Sequence, residues 1–122
     1  MEIHFMSFGR ENRIIPGNET TLVFNAANLP NPPHSLRKKH DGRNKDLQKE
    51  FFKDKRVLAF YDKIVQETLE LIKNQTPDVT LEYITIAIGC HSGRHRSVAL
   101  VEKLFKDDSF SSYKVRKIHK DL

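Results

Sequence analysis

The run Tyr83-Ile84-Thr85-Ile86-Ala87-Ile88 is the most apolar stretch of the chain. It passes directly into Gly89-Cys90-His91-Ser92-Gly93-Arg94-His95-Arg96-Ser97. Val98, Leu100, Val101, Leu104 and Phe105 follow at helical spacing. A short continuous apolar run rich in β-branched residues has no polar face to show to water, which fits a strand covered on both sides. The periodic segment after it buries one stripe, as an amphipathic helix does. The expectation is a central strand over 83–88, a loop over 89–96 and a helix over 97–105. Such a unit restricts the chain to layered α/β architectures.

The remaining segments fit that frame. Ile3 to Phe8 reads as a strand ending at Gly9, and Thr20 to Phe24 as a second strand after the turn signal Pro16-Gly17-Asn18. Pro30, Pro32 and Pro33 make Asn25–Pro33 an extended loop. From His34 to Asp46 the chain is polar and basic, with a turn at Asp41-Gly42. A short helix is expected over Leu47–Phe52 and a longer amphipathic one from Val57 to Ile72, ended near Pro77. Tyr113 to Ile118 reads as a closing strand. The order β-β-α-β-α-β predicts a small single-layer mixed β-sheet flanked by helices, with a strand–phosphate-loop–helix unit. At 122 residues it forms one domain, 1–122.

Composition narrows the setting. One cysteine excludes an internal disulfide and cysteine-rich zinc modules, and favours a reducing compartment. Met1–Phe8 carries Glu2 and His4 with no apolar signal region after it, and no stretch reaches the ~20 apolar residues of a membrane helix. A cytoplasmic protein without membrane contact is the expectation. The net charge of +5 has two main sources, one between Arg37 and Arg56 and one between Lys114 and Lys120. Such clusters attract phosphate-bearing partners, RNA included. Asp41, Asp46, Glu50 and Asp54 interleave with the first cluster, as on an ordinary solvated surface. Phe51, Phe52, Phe60 and Tyr61 have the spacing of core residues rather than of base-stacking platforms.

The loop carries the chemistry. A helix N-terminus leaves backbone N–H groups without partners and adds partial positive charge, so a phosphate ester or inorganic anion binds there readily. Gly89 and Gly93 permit close approach of the backbone. Arg96 offers a bidentate fork, Arg94 and His95 add donors, and Ser97 can cap the helix or touch the ligand. Cys90, His91 and Ser92 complete the rim. His91 and His95 are four apart, but Gly93 lies between them and no carboxylate is near in sequence, so no metal and no cofactor is expected.

Read as Cys-x-x-Gly-x-x-Arg-Ser, the loop also resembles the C-x5-R-S phosphate loop of cysteine-dependent phosphatases. That would make Cys90 a nucleophile and Arg96 its phosphate ligand. Gly89 stands where those enzymes carry His. Asp54, Asp62 and Asp78 lie in or beside the expected helix or in a tight connection, poor places for a general acid. Cys90 reads better as a thiol that contacts the ligand without a covalent step.

A second resemblance spans the chain. The sequence is similar to the C-terminal domain of the RapZ family, bacterial adaptors that bind an amino-sugar phosphate and a small regulatory RNA. It is carried by Ser7-Phe8-Gly9, by Phe24-Asn25-Ala26-Ala27-Asn28-Leu29-Pro30-Asn31-Pro32, by Ile86 through Val98, and by His119-Lys120-Asp121-Leu122. The resemblance implies a metabolite pocket built on Cys90, Gly93, His95, Arg96 and Ser97, closed by Asn25, Asn31 and His34 from the proline-rich turn. Asn25 stands for the family's Asp, Ala27 for its Arg, and His91 and Ser92 for Thr and Gly. The implied function is binding of a phosphosugar or nucleotide, with an adaptor role towards RNA or protein; a homo-oligomer is compatible with it.

Overall fold

In the computed structural model, residues 1–12, 22–74 and 82–122 are described; the expected turn at Pro16–Asn18, the expected strand start at Thr20 and Pro77 lie outside them, while the long helix ends before Asn74 as expected. Four strands, β1 (Glu2–Gly9), β2 (Leu22–Asn25), β3 (Tyr83–Cys90) and β4 (Lys114–His119), form one sheet in the order β2-β3-β1-β4. Four helices accompany it: α1 (His34–Lys39), α2 (Lys45–Phe51), α3 (Lys55–Lys73) and α4 (Arg96–Phe105). The single-layer α/β fold is the expected one. Its sheet, however, is parallel at every described pairing rather than mixed. Parallel neighbours need a crossover between them. The segment α1–α3 returns the chain from β2 to β3, and α4 carries it from β3 to β4 on the far side of β1.

The most apolar segment, β3, is held between β1 and β2 and is buried from Ile84 to Cys90. Alternate residues of a strand share a face, so Ile84, Ile86 and Ile88 line up with Ile3 and Phe5 of β1. These pack in one core with Val57, Tyr61 and Ile64 of α3 and Leu100 and Leu104 of α4. Burying side chains of this size contributes roughly 1.5–3 kcal/mol each. The edge strand β4 is mostly exposed and basic, the composition that discourages pairing with another sheet. Among the described residues no helix is long and apolar enough to cross a membrane.

Capping explains the starts of α2 and α3. The side chain of Asn44 accepts from Leu47 N–H and that of Asp54 from Arg56 N–H, so α2 and α3 begin just before the residues that periodicity marks. Helix α1 was not foreseen: it buries no residue, so it has no apolar stripe to read, and its last turn holds Arg37, Lys38 and Lys39. The loop is shorter than expected. Gly89 and Cys90 belong to β3, paired with Phe8 and Gly9, and Arg96 already belongs to α4, which leaves His91–His95.

Candidate functional site

The last residue of β3 and the first turn of α4 face each other across the loop. Cys90 Sγ and Ser97 Oγ are in hydrogen-bond contact at 3.1 Å, both side chains essentially buried. The loop turns at Gly93, whose φ of 74° lies in the left-handed region that favours glycine. A Cβ there would also run into the backbone of Phe8 and Gly9. Reciprocally, a Cβ on Gly9 would come within 2.5 Å of Ser92 O. The two glycines let β1 and the loop touch backbone to backbone. Among the described residues none accepts a hydrogen bond from the N–H groups of Ser92 to Val98, and His95 at the helix start supplies no side-chain cap. That arrangement leaves donors and the positive end of α4 for an anion.

Above the loop lies a cavity of about 240 Å³, lined by Asn31, Arg37, Cys90, His91, Ser92, His95 and Arg96. Arg96 is 8% exposed. Its Nη1 donates to the carbonyls of Ala27 and Leu29 at 2.7 and 3.0 Å, which ties the proline-rich turn to the head of α4. One end of the guanidinium is thus committed to the fold while the side chain still lines the cavity. His95 Nε2 donates to the Arg37 carbonyl at 3.0 Å. Burial lowers the His95 pKa below its usual 6.5, and the nearby Arg94 and Arg37 charges act in the same direction against two backbone carbonyls. The imidazole is therefore neutral at pH 7. His91 lies at the exposed rim, 3.2 Å from Glu11.

The structure thus brings Asn31, Cys90, His91, Ser92, His95 and Arg96 to one cavity, with Ser97 beneath it and Gly93 as its turn. Three expected residues sit elsewhere. Asn25 is exposed, and its Oδ1 accepts from Ala27 N–H at 2.9 Å within its own turn. His34 is exposed at the first residue of α1. Arg94 points into a neighbouring groove with Arg37, Lys38 and Lys39. Sequence reasoning missed Arg37, which lines the cavity from α1 and whose Nε donates to Pro32 O at 2.8 Å. Its only sequence signal is membership of a basic cluster. Among the described residues no group of three His, Cys, Asp or Glu is placed to hold a metal ion.

The family model described as the RapZ C-terminal domain matches residues 1–122. A nucleotide-binding protein of Acidobacterium capsulatum is 32% identical over 124 residues, covering 100% of this chain and 39% of that protein. A nucleotide-binding protein of a Synechococcus species is 37% identical over 113 residues, covering 88% of this chain and 32% of that protein. One from a Ruegeria species is 33% identical over 124 residues, with 100% and 39% covered. The chain spans about two fifths or less of the length of these curated relatives.

Proposed function

Because the chain belongs to the family of RapZ C-terminal domains, we propose that it is a cytoplasmic binding domain for a phosphorylated metabolite, a phosphosugar or a nucleotide. The phosphoryl group sits on the loop between β3 and α4, and the bound domain serves as an adaptor for an RNA or protein partner. The observation that carries this reading is the cavity over that loop at the start of α4, lined by Arg37 and Arg96. The names of the relatives, nucleotide-binding proteins, support a phosphate-bearing ligand. Cys90 contributes a wall and a contact to Ser97. Ligand specificity would come from the rim, where Asn31 both donates and accepts hydrogen bonds and His91 meets solvent.

Adaptor binding would use the basic surface of the edge strand, where Lys114, Arg116 and Lys117 are exposed. Glu2 pairs with Lys114 and Arg116, and Glu102 with Lys117, so part of this charge is already compensated within the fold.

The cysteine phosphatase remains the second reading, favoured by one observation: Cys90 ends a buried strand at the cavity, and Arg96, the first residue of α4, lines the same cavity. Against it, the residues lining the cavity include no carboxylate to protonate a leaving group.

The test is thermal stability against phosphosugars, nucleotides and inorganic phosphate, with phosphate release followed in the same samples. A ligand of the folded state raises Tm by mass action. A shift without release, diminished in Arg96→Lys, is the expected result, because lysine keeps the charge but cannot hold both carbonyls and the ligand with a planar fork. Phosphate release that disappears in Cys90→Ser would replace the binding reading with the phosphatase. Unchanged Tm across the panel would sink both.

A further inference from the structure

The loop between β3 and α4 takes its position from what it rests on, the end of β1. A Cβ on Gly93 would lie 2.4 Å from Gly9 N and 2.7 Å from Phe8 C, and one on Gly9 would lie 2.7 Å from Ser92 C. Next to this contact Glu11 N–H donates to His91 O at 3.0 Å. The peptide joining Phe8 to Gly9 is therefore the seat of the Ser92–Gly93 turn, main chain against main chain. Close-packed backbones have no side chain between them to yield, so a shift of one is passed to the other.

What holds that seat is a side chain. Pairing of β1 with β4 runs to Ser7 and His119, and Lys120 N–H donates to Ser7 O at 3.0 Å. Gly9 N–H, which is buried, then donates to Asp121 Oδ2 at 2.7 Å. A buried N–H costs free energy unless an acceptor is supplied. The segment that supplies it is itself fixed: His119 lies 2.8 Å from Ser7 Oγ through Nδ1 and 3.2 Å from Glu102 through Nε2. Glu102 belongs to α4, whose first residue lines the cavity. Residues 119–121 thus brace both sides of the site, Asp121 acting on the loop through Gly9 and His119 on α4 through Glu102. Asp121 is not among the residues that line the cavity, and a carboxylate offers an anion no attraction. Its contribution to the site runs through the N–H it accepts.

We infer that Asp121 is a positioning residue of the anion site: by accepting from Gly9 N–H it fixes the peptide on which the Ser92–Gly93 turn is seated. It acts without touching the ligand. Donors to a bound anion must be held within about 0.5 Å of their working geometry, and a turn that shifts with its seat loses that precision. The inference goes beyond the phosphate reading of the cavity and rests on it.

The experiment is calorimetric titration of the full chain with inorganic phosphate, beside Asp121→Ala, Asp121→Asn and Asp121→Glu, at a temperature where circular dichroism shows each to be folded. Asparagine keeps an acceptor for Gly9 N–H and removes the charge, whereas glutamate keeps the charge and displaces the acceptor. Affinity is expected to fall about tenfold in Asp121→Ala, the scale of one hydrogen bond to a charged group. It falls also in Asp121→Glu and is retained in Asp121→Asn, and amide hydrogen exchange of Gly9 accelerates only in the variants that lose affinity. Asp54→Ala, which removes the cap of α3, is the control for loosening of the fold at large. It loses stability and keeps its affinity; a loss equal to that of Asp121→Ala overturns the positioning role. Should Asp121→Ala fail to fold, the other pair decides: weak binding by Asp121→Asn with intact binding by Asp121→Glu overturns the inference. Equal affinity in the unmodified chain and every variant overturns it too and leaves the phosphate reading standing. An unmodified chain that does not bind phosphate overturns both.

Discussion

Gly93 shows how much of the site depends on one missing side chain. Its left-handed φ and its contact with Phe8 and Gly9 leave no room for a Cβ. Gly93→Ala should cost about 2 kcal/mol of stability from backbone strain and crowding, and should weaken anion binding because the loop must move away from β1. Chemical denaturation paired with phosphate titration would check both. Unaltered stability would mean that the strand and loop do not touch as described. His95 gives a second readout. Half-buried, it titrates below the usual histidine range. A phosphate held in the adjoining cavity favours the imidazolium, so saturating phosphate should raise its pKa, measured by NMR of the ring protons. A titration insensitive to phosphate would place the anion away from this ring. The cluster Gly-Cys-x-x-Gly-x-x-Arg-Ser was legible because packing alone does not call for such residues together. Arg37 was not, because only the tertiary path that brings α1 over the loop separates it from the other basic residues around it. Asn25 misleads in the opposite direction: its polarity is visible in the sequence, but its carbonyl serves its own backbone two residues on.

Elements were readable in proportion to the apolar pattern they carry. Helix α3 buries Val57, Tyr61, Ile64, Val65 and Thr68 along one face, and α4 buries most of its length. Their hydrophobic spacing therefore announces them. Helix α1 buries nothing and is silent. Strand directions were not readable at all. They are set by whether each connection returns the chain to the starting end of the sheet and by which strands become neighbours, and no pattern within a strand records that. Caps supply what periodicity lacks. Asp54, whose side chain accepts from Arg56 N–H at 2.8 Å, starts α3. Asp54→Ala should lower stability by about 1 kcal/mol while leaving anion affinity as it was. Its exposed ion pair with Arg56 adds little, since solvent screens such pairs. Thermal denaturation of the variant with and without phosphate separates the two effects. A loss of affinity equal to the loss of stability would tie α3 to the site more closely than its position does.

At the scale of the molecule, the two ends of the chain are joined behind the loop. Ser7 Oγ and His119 Nδ1 lie 2.8 Å apart, His119 Nε2 is 3.2 Å from Glu102, and Lys117 is 2.9 Å from the same carboxylate. Gly9 N–H donates to Asp121 at 2.7 Å. Burial alone would raise the Glu102 pKa, but the hydrogen bonds from Lys117 and His119 prevail and hold it below the usual 4.5. The unfolded chain therefore takes up this proton at a higher pH than the folded one. The ionised carboxylate stabilises the fold above about pH 4.5, and that contribution is lost as the pH falls through the depressed folded value. Stability measured from pH 6 downwards should accordingly fall less steeply in Glu102→Gln than in the unmodified chain; identical slopes would show that another group governs acid unfolding.

The parallel sheet has a consequence for time as well as for shape. Every described strand pair joins segments far apart in sequence; Glu2 pairs with Lys114, and Ser7 with His119. Among the described strands no hairpin offers a short first step, so large chain loops must close before these inter-strand bonds form, which slows folding. The backbone of Gly9 meets both Asp121 and the loop between β3 and α4, so the loop acquires its final support only when β1 has gathered β3 on one side and β4 on the other. The final geometry of the loop thus arrives late in the kinetic sequence, as a signature of completed assembly rather than of early local order.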